Sequence, residues 1–537
     1  MKQILLVFIF LMLLFSGCQK IMHEQDTTIT VINSAQQMDQ AMIGVYGLLS
    51  LYVDNPAAPY PRVYSDDNAP EFNCSSWGVV PDIDSIAFQS IPFYVDLAPY
   101  YYLRWQAIYK IVISCNNIIC QFENQKSVAK ELQAGLGEAY LIRAYAYFDL
   151  VRIFGQVPIV NNVTVNYTVG KSSFNDIYNF IVSDLRLAIS LLPANRSAAR
   201  IPSVSPSRGS AKAILAEVYL TMGGYPVKDA TNYTRAAEMA GEVIDSASFF
   251  GFNLLPDVAD LWNGNQKINN ETILGLYYNS HLSQLNYSGG NQINNALAVY
   301  PTSSYPFSLW YYYVSPNIIS GHNFFNNYPE SYRKEATFQT FLPWIYVDDS
   351  SKLVVQFRNY TYADYTSLIF YKKFGYSCSA KDTGLVANLT SDYSSAYFTT
   401  YFHYSYDQPI YIFRYAHTLL TYAEAKARSG SLDEKAYEAI NMVRRRANKL
   451  DVNSQSQFDV KSGLSANQFA DSVVRERELE LCGEMEGRWF DLVRLEMVEQ
   501  LPALRDKASI APPYAFTKEY YFAPIPNQEL DFDPNLN

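Results

Sequence analysis

Fifty-two acidic side chains are available for acid–base chemistry, yet spacing marks no two as the carboxylate pair a glycosidase sets across its cleft. The five histidines, His23, His281, His322, His403 and His417, lack metal-ligand spacing and form no HExxH helix. Gly170-Lys171-Ser172 ends like a phosphate-binding loop, but Val165 stands where that loop's first glycine belongs. No GxSxG elbow presents a serine. Beyond Cys18, the cysteines Cys74, Cys115, Cys120, Cys378 and Cys482 form an odd, scattered set without a CxxC pair. They read neither as a disulfide framework nor as a metal site. Cys115 and Cys120 lie five apart on a predicted helix and point in different directions, so both are expected to be buried small apolar residues. Catalysis, a cofactor and a metal centre are therefore not expected, and no acidic cluster in the loops demands calcium. Aromatic surface is the abundant chemistry: 45 Tyr, 31 Phe and 6 Trp. Tyrosine joins a flat apolar face to a polar tip, which suits wet binding surfaces and ordinary cores alike. Trp310, Tyr311, Tyr312 and Tyr313 are consecutive, and strand side chains alternate in direction, so some of the four must face solvent.

The N-terminus carries an address. Lys2 precedes the apolar run Ile4 to Phe15, then Ser16-Gly17 leads to Cys18. A run of about a dozen residues is short of the roughly 20 that span a bilayer as a helix, so it reads as a secretory signal. Cys18 after two small residues resembles the acylated cysteine of a bacterial lipobox, with Phe15 where leucine is usual. Plain secretion is the competing reading. Acyl chains on Cys18 would hold the mature protein at a membrane.

The chain of 537 residues is long enough for one large domain or several ordinary ones, and 49% of it is apolar. A net charge of -11 argues against nucleic acid, which needs clustered Lys and Arg. It also disfavours polyanionic ligands, unless a local basic site reverses the balance. The basic run Arg444-Arg445-Arg446 closes a predicted helix, where cations complement the dipole.

These residues must be carried by helices for most of the length. Ser34 with Gln37 resembles a capping box ahead of the apolar face Ala41, Val45, Leu48 and Leu49. Residues 54–98, rich in Pro, Asp, Asn and Gly, break the pattern. Trp105, Ile108, Val112, Cys115 and Ile119 then follow at helical spacing, with Trp105 on the core stripe. Glu131 to Phe154 is a dense helix that stops at Gly155 ahead of Pro158. Further helices are predicted at 173–192, 207–222, 232–246, 412–429, 433–449 and 466–482. The segments 211–245 and 419–447 each pair two alanine-rich helices around a glycine, the tetratricopeptide pattern in loose form; a plain helical hairpin is the alternative. Between them, residues 251–405 lose charge and periodicity and gain Asn, Ser and Tyr, with short strands such as Leu353 to Phe357. The expected organisation is a signal (1–17), a tether (18–33), a helical scaffold from 34–250 and 406–537, and an irregular aromatic-rich insert at 251–405. The fold class is mostly α: a tetratricopeptide-like scaffold presenting a loop-rich insert.

Several segments together resemble the SusD/RagB family. They are RAYAYFDLVRIFGQVPIV (143–160), PIYIFRYAHTLLTYAEAKARSG (409–430), RERELELCGEMEGRWFDLVR (475–494) and FAPIPNQEL (522–530). With the lipoprotein signal and the helix from Ser34, they cover nearly the whole chain in the family's order. One departure is an extra residue in Glu484-Met485-Glu486-Gly487 before Arg488, which turns a helix by about 100° and predicts a break there. The tail, Asp533 to Asn537, also lacks the family's Asn-Pro-Gly ending. Arg414, Glu424, Arg488 and Asp491, within these motifs, are expected to tie helices together. Glu484 and Arg488 have i,i+4 ion-pair spacing, which a break would upset.

The resemblance implies an outward-facing outer-membrane lipoprotein, non-enzymatic, partnered with a SusC-like TonB-dependent transporter. It implies an oligosaccharide ligand, or a peptide in the RagB branch; a surface glycoside hydrolase and a tetratricopeptide adaptor are the more remote alternatives. A sugar ring stacks its C–H face on an aromatic and offers its hydroxyls to Asn, Asp or Arg. The family often places such contacts in the loop after the first helix, here Asp67, Asn68, Asn73 and Trp77. The Asp66-Asp67-Asn68 run is equally a turn or cap signal. The insert offers Tyr287, Asn291, Tyr305 and Trp310 to Tyr313, with core packing as the even alternative for each aromatic.

Overall fold

The computed structural model describes residues 31–53, 98–163, 168–262, 266–277, 322–339, 342–347, 352–358, 370–371, 373, 387–388, 409–485, 487–500 and 517–536. Helices dominate them. The first half contributes α1 (Ala35–Val53), α2 (Ala98–Ile119), α3 (Lys130–Phe154), α4 (Phe174–Leu191), α5 (Arg208–Gly223) and α6 (Thr231–Asp245). The middle supplies β1 (Thr272–Leu276), α7 (His322–Asn327), α8 (Tyr332–Thr337), β2 (Leu342–Val347) and β3 (Lys352–Arg358). The C-terminal part adds β4 (Ile410–Arg414), α9 (Tyr415–Arg428), α10 (Glu434–Ala447), α11 (Ala466–Leu481) and α12 (Arg488–Arg494).

Local chemistry sets the helix ends. The Ser34 hydroxyl accepts from the Gln37 N–H, and the Gln37 amide oxygen accepts from the Asn33 N–H, one residue outside the usual reciprocal box. Ser173 caps α4 by accepting from the Asp176 N–H, and Asp433 caps α10 by accepting from Ala436. Gly155 ends α3 at φ +72°, a positive-φ conformation that glycine enters without steric cost. The predicted helices at 131–154, 173–192, 207–222, 232–246, 433–449 and 466–482 all appear, within a residue or two at each end. The helix predicted from residue 412 begins instead at Tyr415, because Ile410–Arg414 is drawn into an antiparallel pair with Thr272–Leu276. Both strands are buried along their whole length, so they read as apolar runs without alternation. Leu353 to Phe357 lies within β3, which pairs with β2 in register.

The helices stack in chain order from α1 to α6, and α9 continues the stack against α6. Gly241 on α6 faces Tyr422 of α9; Ala236 and Ala240 of α6 and Ala423, Ala425 and Ala427 of α9 are buried as well. Such small residues let helix axes approach closely, which is the packing logic of tetratricopeptide-like pairs. Helix α9 also packs on α10, α11 and α5. One hydrophobic core therefore runs from Ile32 to Leu536, and both ends of the chain contribute to it. Trp105 lies in that core, 4% exposed, with its ring against Phe154 and Tyr109. Cys115 is buried as expected, whereas Cys120 is only half-buried near the surface.

Candidate functional site

The densest chemistry among the described residues is charge buried where β4, α9, α10 and α11 converge. Arg414 closes β4 and opens α9. Its Nε and Nη2 donate to the two Glu484 carboxylate oxygens at 2.7 and 2.8 Å. Its Nη1 donates to Glu271 at 2.5 Å and to Glu480 at 3.0 Å. Arg446 bridges the same two acids from α10, at 2.7 Å to Glu271 and 2.5 Å to Glu480. Arg333 on α8 binds Glu476 and Glu480 at 2.7 and 2.8 Å, and Lys373 binds Glu484 at 3.0 Å. Glu476 and Glu480 are one turn apart on α11 and so present a single acidic stripe to these cations.

A second cluster joins α5, α9, α11 and α12. Arg477 binds Glu217 at 2.7 Å and Asp491 at 3.0 Å. Arg494 clamps Glu424 with two bonds of 2.6 and 2.7 Å, a fork geometry that fixes orientation as well as distance. The Thr421 hydroxyl donates to Glu217 at 2.5 Å.

Burial pushes the Glu480 carboxyl up, but the guanidiniums of Arg446, Arg414 and Arg333 reverse this and hold it far below the usual carboxylate range. Asp491 is held low in the same way by Arg477 and Arg494, against burial. The His417 imidazole is driven down to about 4 by burial and by Arg414, whose backbone N–H it accepts at Nδ1 at 3.1 Å. A general acid or base must keep a proton poised near working pH within reach of a substrate. Here each carboxylate is engaged by a cation and shielded from solvent. The arrangement locks element ends together.

Arg414, Glu424 and Asp491 thus tie helices, as their motifs implied. The break also falls where the extra residue lies: α11 ends at Leu481 and α12 starts at Arg488. As a result Glu484 turns to Arg414 and Lys373, while Arg488 lies 3.7 Å from Glu478, and the i,i+4 pair does not form. The basic run at the end of α10 does more than face a dipole. Arg446 is fully buried on Glu271 and Glu480, Arg445 holds Glu438 and Asp459, and Arg444 reaches Glu476. Sequence reading missed Glu271, Glu480 and Arg333 as members of this frame. The Glu476/Glu480 spacing opposite an arginine run was the available signal.

The ligand residues expected from sequence, Asp67, Asn68, Asn73, Trp77, Tyr287, Asn291, Tyr305, Trp310, Tyr311, Tyr312 and Tyr313, lie outside the described residues, as does Cys18. Their flanks are described. Tyr52, at the end of α1, donates to the Asp149 carboxylate of α3 at 2.9 Å. Arg104, near the start of α2, lies over the Tyr52 ring at 5.4 Å. The end of α1, which leads into residues 54–97, is thus tied to α3 at Asp149. Segment 278–321 leaves β1, whose partner β4 sets Phe413 edge-on against Tyr145 of α3 at 6.0 Å. It returns at α7, where Phe324 and Tyr328 pack with Leu479 and Cys482. Tyr145 and Asp149 are one turn apart, so a single face of α3 meets the end of α1 and the β1–β4 strand pair.

The described helices form a scaffold closed internally by paired charge. Comparison with known proteins identifies its class. A family model described as SusD-like, "Starch-binding associating with outer membrane", matches residues 20–220, and the SusD family model matches residues 328–537. SusD-like protein P2 of Formosa agariphila is 24% identical over 440 residues, spanning 80% of this chain and 78% of its own. A solved SusD homolog from Bacteroides thetaiotaomicron superposes with a TM-score of 0.73 at 20% identity, over 96% of this chain and 98% of that one. Surface glycan-binding protein A from Bacteroides uniformis gives a TM-score of 0.61 at 19% identity, over 94% of this chain and 98% of that one. The chain belongs to the SusD family, whose members are non-catalytic glycan-binding proteins associated with the outer membrane.

Proposed function

We propose that this protein is a cell-surface nutrient-binding lipoprotein, anchored through acylated Cys18 and facing outward, that captures oligosaccharides and delivers them to a SusC-like TonB-dependent transporter. The observation that carries the reading is the match of SusD-like and SusD family models to residues 20–220 and 328–537. Trp77, Trp310 and the tyrosines beside Trp310 act as stacking platforms, while Asp67, Asn68, Asn73 and Asn291 bond the hydroxyl rim. Residues 251–405 serve as the recognition insert of the scaffold. Affinity is modest, because wet polar contacts gain little over water.

The test is calorimetry of the soluble chain from Lys20 against a glycan panel and a peptide pool, repeated with Trp77→Ala and Trp310→Ala. Saccharide binding that is weakened at least tenfold in either variant, with an unchanged melting curve, supports the proposal. Peptide binding without any glycan response moves the protein to the RagB-like branch and removes the platform.

A further inference from the structure

A cleft of about 410 Å³ opens between the end of α9, the outer face of α11 and residues 488–497. That volume lies within the range of small-molecule sites. Its apolar lining is Val474, Leu495 and Met497, and its charged lining is cationic in sum. Arg428, Arg475 and Arg488 stand against two acids, Asp471 and Glu478. Glu478 is already engaged, since Arg475 pairs with it at 2.6 Å and Arg488 lies 3.7 Å away. Arg475 is further tied by a 3.1 Å bond to the Asn327 carbonyl.

Arg428 differs from its neighbours. Its Nε donates to Glu424 at 2.6 Å, and Glu424 is itself clamped by Arg494, so the guanidinium is held from behind. Its Nη1 and Nη2 have no hydrogen-bond partner among the described residues, although Arg428 lines the cleft and its side chain is only 23% exposed. An oriented guanidinium with its end-on edge open is the geometry that takes a carboxylate through two parallel bonds. Asp471, on the facing helix, is exposed and leaves a carboxylate free to accept from a hydroxyl.

We propose that this cleft is a second ligand site, separate from the aromatic segments, for a carboxylate-bearing sugar residue, a hexuronate. The carboxylate docks on the Nη edge of Arg428, a ring hydroxyl donates to Asp471, and the apolar ring face covers Val474, Leu495 and Met497. The site supplies local positive charge on a chain whose net charge is -11, which would otherwise repel an acidic glycan.

Calorimetry of the full-length protein in detergent tests this with digalacturonic acid, the neutral disaccharide galactobiose, and acetate. Digalacturonic acid is expected to bind at least tenfold more tightly than galactobiose or acetate, and more weakly as salt rises. Arg428→Ala should abolish this binding. Arg428→Lys, which keeps the charge and loses the fork, should weaken it several-fold and guards against misfolding of the first variant. Trp310→Ala should leave it unchanged. Equal binding of galactobiose, equal binding of acetate, no response to digalacturonic acid, or full affinity in both Arg428 variants would overturn the proposal. Affinity lost in Trp310→Ala but kept in Arg428→Ala would place acidic glycan on the aromatic segments instead, leaving the proposed function standing.

Discussion

At the residue scale, Arg414 stands out among the described residues: three glutamates, Glu271 ahead of β1 and Glu480 and Glu484 at the end of α11, share its guanidinium. Removing one member of a buried ion network leaves the others charged and unpaired, at a cost of about 3–5 kcal/mol. Arg414→Ala should therefore lower stability by about that amount in urea titrations; a loss below ~1 kcal/mol would show that Lys373 and Arg446 neutralise the acids alone. His417 offers a pH test. Its folded value of about 4 lies below the ordinary 6.5, so the unfolded chain takes up this proton first as pH falls. The stabilisation is complete above 6.5 and is lost progressively down to 4, amounting to about 3 kcal/mol. Arg414 and Arg477 oppose the imidazolium while Glu484 and Glu217 favour it, and burial outweighs them all. His417→Gln should flatten the stability profile between pH 6.5 and 4.5 relative to the native protein. Glu480 and Asp491, also depressed, contribute stability that is full above the ordinary carboxylate range and is lost at lower pH.

At the element scale, two junctions decide the geometry. The turn after α5 docks on α12: the Tyr225 N–H donates to the Arg494 carbonyl at 2.8 Å. A Cβ at Gly224 would sit 2.4 Å from that carbonyl oxygen, a backbone atom that cannot swing aside. Gly224→Ala should cost about 1–3 kcal/mol as an overpacked contact, measurable as a lowered urea midpoint with unchanged slope. The break between α11 and α12 turns through Gly483 at φ +74° and releases Glu484 toward Arg414. An uninterrupted helix would have set Glu484 and Arg488 as a surface pair and left Arg414 short of its bidentate partner.

For the whole molecule, the shared core implies a single cooperative unit despite the long middle segment. α9, from beyond residue 406, packs on α5 and α6 from before residue 250. Urea unfolding followed by amide exchange should show α3 and α9 opening together, within the same transition. Separate transitions for the two halves would contradict the continuous core.

Helix periodicity, the cap at Ser34 and the stop at Gly155 were legible from residues alone because they are short-range, each acting within one turn of where it stands. The family motifs were legible for the same reason, each being a contiguous string. Pairing of Ile410–Arg414 with Thr272–Leu276 was not, since two apolar runs well over 100 residues apart carry no register in sequence. Nor was the fate of Arg444 to Arg446, whose charge predicts attraction without naming a partner. Which carboxylate each arginine meets depends on how α10, α11 and β4 converge. Coulombic attraction is non-specific until packing sets distance and removes water, and that step belongs to the folded chain alone.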